Sequence, residues 1–134
     1  MNYSIHEVAE KFGLSAHTLR YYDKEGLLPF ISRNKSGNRT FTELDLNWLA
    51  MICCLKNTGM PIKDIKQYSA WCKQGLETID ERKELLQEHR KQVVKQIEEL
   101  QKNLELIDSK IATYENPELA RQLDEQLERA RSTV

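Results

Sequence analysis

Apolar residues recur at helical spacing from the start of the chain. Ile5, Val8, Ala9 and Phe12 share one face, and Gly13 stops the run. Ser4-Ile5-His6-Glu7 has the form of a capping box, in which the Ser and Glu side chains satisfy each other's orphan backbone donors. After Gly-Leu-Ser a second helix is expected over about 16–25, with Leu19 and Tyr22 turned inward, Ser15 as N-cap and Gly26 as terminator. Two short helices across a tight turn make a helix-turn-helix. The run from Phe30 to Phe41 then reads as two short strands around Ser36-Gly37-Asn38, a wing.

From 42 onward the period stays helical. Thr42-x-x-Asp45 caps a helix whose Leu44, Trp48, Met51, Ile52 and Leu55 form one stripe, which puts Cys53 nearly opposite the core and Cys54 at its margin. Pro61 suits the first turn of the next helix and Gly75 its end. Leu86, Arg90, Val93, Ile97, Leu100, Leu104, Ile107, Ile111 and Tyr114 then alternate in steps of four and three, the seam of a coiled coil, interrupted only by Arg90. No Gly or Pro falls within 76–116, so one helix of about 35 residues is expected, roughly 50 Å long. Asn116-Pro117 breaks it, and a short last helix follows with Leu119, Leu123 and Leu127. That helix is too short to cover the seam within one chain, so homodimerisation is the economical way to bury it. The expected architecture is mainly α: a winged helix-turn-helix DNA-binding domain with its second helix pair (1–75), then a dimerisation helix and a short C-terminal helix (76–134).

Charge sharpens this. The 134 residues carry a net charge of −1, which argues against indiscriminate coating of nucleic acid. Residues 1–75 nevertheless hold 10 Lys and Arg against 7 Asp and Glu, while 76–134 hold 10 against 14. On the second helix His17, Arg20, Tyr21 and Lys24 fall on one face, offering groups that suit phosphates and guanine edges. Arg33, Lys35 and Arg39 lie on the wing. Taken alone, that helix face reads equally well as a solvated surface. No stretch approaches a membrane span, and the chain enters a capped helix by residue 4 without a signal-peptide pattern, so a cytoplasmic, nucleoid-associated location is expected.

Leu-Arg-Tyr-Tyr-Asp at 19–23, Gly-Leu-Leu-Pro at 26–29 and Gly-Asn-Arg-Thr-Phe at 37–41 resemble the MerR family of bacterial transcription regulators. Phe41-Thr42-Glu43-Leu44-Asp45 and the run from Leu55 to Ile65 continue the resemblance over roughly 110 residues in all. The sequence departs from the family pattern at Asn38, where an aromatic is favoured. The resemblance implies long helices paired antiparallel, holding two heads on an approximately palindromic promoter duplex. It also implies activation by distorting an overlong spacer so that RNA polymerase can engage both promoter elements. In that role His17, Thr18, Arg20 and Tyr21 work in the major groove, while Arg33, Lys35 and Arg39 hold phosphates.

The chemistry left over is in three cysteines, Cys53, Cys54 and Cys72. A disulfide framework is not suggested by three thiols in a cytoplasmic chain. Metal is disfavoured, since there is no Cys-x-x-Cys and His6, His17 and His89 belong to different elements. No cofactor is expected. Within the family the sequence is most similar to the branch that answers aldehydes and thiol-reactive electrophiles. Cys54, directly before Leu55-Lys56-Asn57-Thr58-Gly59, is the residue that matches that branch's sensor thiol. Its rival reading is a small hydrophobe at a core edge; Cys53 and Cys72 read as structural. Three alternatives stand beside an electrophile-sensing regulator. They are a MerR-like regulator with a small-molecule effector or none, a coiled-coil interaction protein that does not bind DNA, and a thiol enzyme, for which no Cys/His pairing is evident.

Overall fold

The computed structural model describes residues 2–28, 31–33 and 35–133. Pro29, Phe30 and Asn34, which belong to the expected Gly-Leu-Leu-Pro turn and wing, lie outside the described residues.

A two-residue strand β1 (Tyr3–Ser4) leads into α1 (Ile5–Phe12). The Ser4–Glu7 capping box forms as expected, with the Ser4 N–H donating to Glu7 Oε1 at 3.0 Å and the Glu7 N–H donating to Ser4 Oγ at 3.2 Å. Gly13 ends α1 at φ 65°, a conformation costly for any residue with a side chain, and its N–H caps the Ala9 and Glu10 carbonyls. α2 (Ala16–Lys24) follows, capped by Ser15, with Leu19 and Tyr22 buried. β2 (Ser32–Arg33) and β3 (Arg39–Phe41) form the wing hairpin, and β1 pairs with the other edge of β3 to give the antiparallel order β1-β3-β2. The register places Tyr3 opposite Phe41 and Arg33 opposite Arg39. The sequence reading contains no strand at Tyr3–Ser4. It is this strand that ties the N-terminus to the wing.

α3 (Glu43–Asn57) begins in the expected Thr42–Asp45 capping box, but its buried face is rotated from the predicted stripe. Leu46, Leu49, Ile52 and Leu55 are buried, whereas Leu44 is 72 % exposed. The rotation moves the cysteines too. Cys53 is half-buried against the core, not opposite it, and Cys54 is exposed. Both Leu44 and Leu46 are apolar, so sequence period alone does not choose between the two faces; packing against Val8, Leu19 and Phe41 does. α4 (Ile62–Gln74) starts after Pro61 and ends at Gly75, φ 96°. Trp48 joins the pieces: its ring stacks on Tyr68 of α4 at 5.8 Å between centroids, and its indole N–H donates to the Leu27 carbonyl at 2.7 Å.

A single 3-10 turn (Leu76–Thr78) precedes the 37-residue α5 (Ile79–Glu115), and α6 (Pro117–Ser132) closes the chain. By internal contacts the chain divides into Met1–Arg90 and Lys91–Val134. The division falls after Arg90 and not after Gly75, because the root of α5 belongs to the head. Arg82 donates to the Gly75 carbonyl at 2.6 Å and to Thr78 Oγ1 at 3.1 Å, His89 Nε2 lies 2.7 Å from Thr58 Oγ1, and Leu85 and Leu86 pack on the head's core. In the second unit the α6 N-terminus is capped by Asn116 Oδ1, which accepts from the Glu118 and Leu119 N–H groups.

Candidate nucleic-acid interface

On α2 the inward pair Leu19 and Tyr22 fixes the helix against the core, so His17, Arg20, Tyr21 and Lys24 are left exposed on the other side. The Arg20 and Lys24 side chains make no hydrogen bond or ion pair among the described residues. Thr18 is half-buried, its backbone N–H donating to Ser15 Oγ at 3.0 Å and its hydroxyl 2.9 Å from the same atom, so part of its hydrogen-bonding capacity serves the cap. An open depression of about 490 Å³ lies between α2 and the wing, lined by His17, Arg20, Tyr21, Asp23, Lys24, Arg33 and Arg39. A second, of about 460 Å³, shares Arg20, Arg33 and Arg39 and extends to His6, Asn38 and β1. Lys35 stands exposed on the turn between β2 and β3. Six of the eight residues read from the sequence as DNA contacts thus surround one concavity, and Thr18 and Lys35 do not line it.

The wing arginines are less free than the sequence suggests. Arg39 Nε donates to Asp23 Oδ2 at 2.6 Å, with both side chains more than four-fifths buried, and Arg33 reaches the same oxygen at 3.6 Å. Arg33 also donates to the Gly37 carbonyl at 3.0 Å, bracing the hairpin tip. Asp23 is the participant that sequence reasoning missed. Its one signal was a lone acid inside an otherwise basic face.

Behind the face, α2 is held from two further helices. Lys56 of α3 donates to Tyr22 Oη, and Lys66 of α4 pairs with Glu25. Those hydrogen bonds hold both ammonium groups in the charged form, above the usual lysine range.

Residues 3–70 match the pattern of the MerR HTH family regulatory proteins, and residues 46–115 match a second pattern described as MerR, DNA binding. The chain belongs to the MerR family. Similar proteins include an uncharacterized HTH-type transcriptional regulator of Haemophilus influenzae, 50% identical over 115 residues, which are 86% of this chain and 85% of that protein. AdhR of Bacillus subtilis is 37% identical over 91 residues, 68% of this chain and 65% of its own. Among solved structures, HiNmlR, a MerR family regulator lacking the sensor domain and bound to promoter DNA, superposes with a TM-score of 0.80 at 50% identity, covering 86% of this chain and 91% of that one. A MerR family regulator from Listeria monocytogenes gives 0.80 at 35% identity over 95% of this chain and 98% of that one. This MerR-family chain is therefore a DNA-binding transcriptional regulator and not an enzyme. No helix among the described residues is long and apolar enough to cross a membrane.

The cysteines of this MerR head occupy three different settings. Cys54 is exposed in the last turn of α3, and its carbonyl accepts from the Thr58 N–H at 3.0 Å and from Thr58 Oγ1 at 2.7 Å. Cys53 is half-buried; burial pushes its thiol up, with Lys56 partly offsetting. Cys72 is half-buried with Arg82 at 3.9 Å. Among the described residues no group of three or more His, Cys, Asp or Glu side chains is placed to hold a metal ion.

Along α5 the seam is uneven. Leu86 lies against its own head, Val93 is half-buried, and Ile97, Leu100, Leu104, Ile107, Ile111 and Tyr114 are exposed, Leu100 at 68 %.

Proposed function

We propose that this regulator binds an approximately palindromic promoter operator as a homodimer, each head placing α2 in the major groove and the wing on the flanking backbone. The observation that carries this is the convergence of His17, Arg20, Tyr21 and Lys24 with the wing arginines around one open face. Arg20 and Tyr21 are the base-edge and phosphate readers of α2, with His17 and Thr18 beside them. Lys24 and Lys35 supply charge that sets register and salt dependence. The exposed apolar residues from Ile97 to Tyr114 support pairing through α5, since an isolated helix gains little from leaving such a row in water.

In this reading the dimer bends and untwists the operator centre, bringing both promoter elements within reach of RNA polymerase. Deformation of that kind costs on the order of 1–10 kcal/mol, within the range that two heads of phosphate contacts offset. The inducing signal is an aldehyde or another electrophile that adds to the Cys54 thiol. Cys54 is the exposed thiol of the three, and its carbonyl holds the Thr58 hydroxyl that also meets His89 at the root of α5. A change at the end of α3 thus has a short hydrogen-bonded route to the long helix.

Footprinting of the DNA upstream of the protein's own gene, with and without formaldehyde, tests the reading. A two-fold-symmetric footprint with central hypersensitivity that grows on exposure is expected. Absence of any salt-dependent footprint overturns the DNA-reading assignment. An unchanged footprint together with an unchanged transcript level under formaldehyde overturns the electrophile.

A further inference from the structure

We propose that Asp23 is a specificity-determining positioning residue of the DNA-reading face, its carboxylate holding Arg39 and Arg33 and so withholding their charge from indiscriminate phosphate contact. The proposal rests on the assignment of α2 and the wing as the reading face.

A carboxylate on a surface that meets phosphates is repelled unless it is paired, so its presence among His17, Arg20, Lys24, Arg33 and Arg39 needs an explanation. Asp23 lies at the C-terminal end of α2, while its partners lie on β2 and β3. The ion pair therefore crosses from the reading helix to the wing, joining residues 16 apart in sequence. Arg39 meets it at 2.6 Å with only 19 % of its side chain exposed, so its direction is fixed and its charge largely matched. Arg33, at 3.6 Å and 52 % exposed, is held between Asp23 and the Gly37 carbonyl, with room left for an outside acceptor. Non-specific affinity depends on how many cations reach phosphates, each adding about 0.9 to the salt slope, whereas operator affinity also depends on where they stand. Matching Arg39 with Asp23 lowers the first quantity and fixes the second.

The test measures full-length protein binding to an operator duplex and to an unrelated duplex of equal length across a salt series. For Asp23→Asn, tighter binding to the unrelated duplex, with a slope steeper by about one or more, is expected. Operator affinity is expected to fall, so that the ratio of the two affinities drops about tenfold or more. Asp23→Glu keeps the charge and is expected to recover most of the ratio. Asp23→Asn/Arg39→Gln has the wild-type net charge and is expected to return the non-specific slope to the wild-type value, which also covers the case in which Asp23→Asn alone does not fold. Equal losses on both duplexes with an unchanged slope, or no change on either, overturn the role of Asp23. Wild-type protein that binds neither duplex in a salt-dependent way overturns the reading face itself.

Discussion

Lys56 of α3 donates its ammonium to Tyr22 Oη at 2.9 Å and lies 5.1 Å from the centroid of the same ring, so one cation grips the buried tyrosine of α2 by its hydroxyl and through its ring. Tyr22 is 1 % exposed, and the Lys56 ammonium satisfies its otherwise buried hydroxyl. Tyr22→Phe is expected to cost about 1 kcal/mol, read as a lower urea midpoint with an unchanged slope. The Lys56 ammonium is held above its ordinary range by the tyrosine bond, so its contribution is full at neutral pH and is lost only as pH rises through the shifted value. The stability gap between wild type and Lys56→Met should therefore be flat from pH 6 to 9 and close in stronger alkali.

Arg20 sits on the exposed face of α2 with no partner among the described residues, so its removal leaves the packing of Leu19 and Tyr22 untouched. Arg20→Ala is expected to weaken operator binding by about 1–3 kcal/mol per head, tenfold or more, with thermal unfolding and oligomeric state unchanged. An unchanged mobility shift would remove Arg20 from the reading face.

Cys54→Ser is expected to abolish the transcriptional response to formaldehyde while leaving operator affinity within a factor of two. Cys53→Ser should still respond, because that thiol is half-buried and its burial disfavours the reactive thiolate. A response that survives in Cys54→Ser and disappears in Cys53→Ser or Cys72→Ser reassigns the sensor.

Ser4→Ala removes the α1 cap and is expected to cost about 1 kcal/mol. Its partner Glu7 has a carboxyl held below the usual range by the Ser4 N–H. The contribution of Glu7 is accordingly full above the ordinary carboxylate range and disappears as pH falls through the lowered value. The difference between wild type and Glu7→Gln should shrink between pH 5 and pH 3 in thermal melts.

The parts that were legible beforehand are those fixed by short-range chemistry. The caps at Ser4, Ser15 and Thr42 involve side chains and backbone N–H groups within three residues, and the stops at Gly13, Gly26 and Pro117 are local steric facts. What was not legible depends on distant partners. β1 is two residues long and exists by pairing with Phe41 and Thr40. The face of α3 is chosen by the core it meets, which turned Leu44 outward and exchanged the settings of Cys53 and Cys54. At the candidate site the cations were readable from type and spacing, but the Asp23–Arg39 pair depends on how the wing folds back on α2.

The row from Ile97 to Tyr114 has a quantitative corollary for the cell. If two copies must meet along it before either head can grip DNA, operator occupancy at low abundance rises with the square of the protein level and not in proportion to it. Halving expression would then cut occupancy about fourfold, so the promoter would respond to the amount of regulator as steeply as to its chemical state.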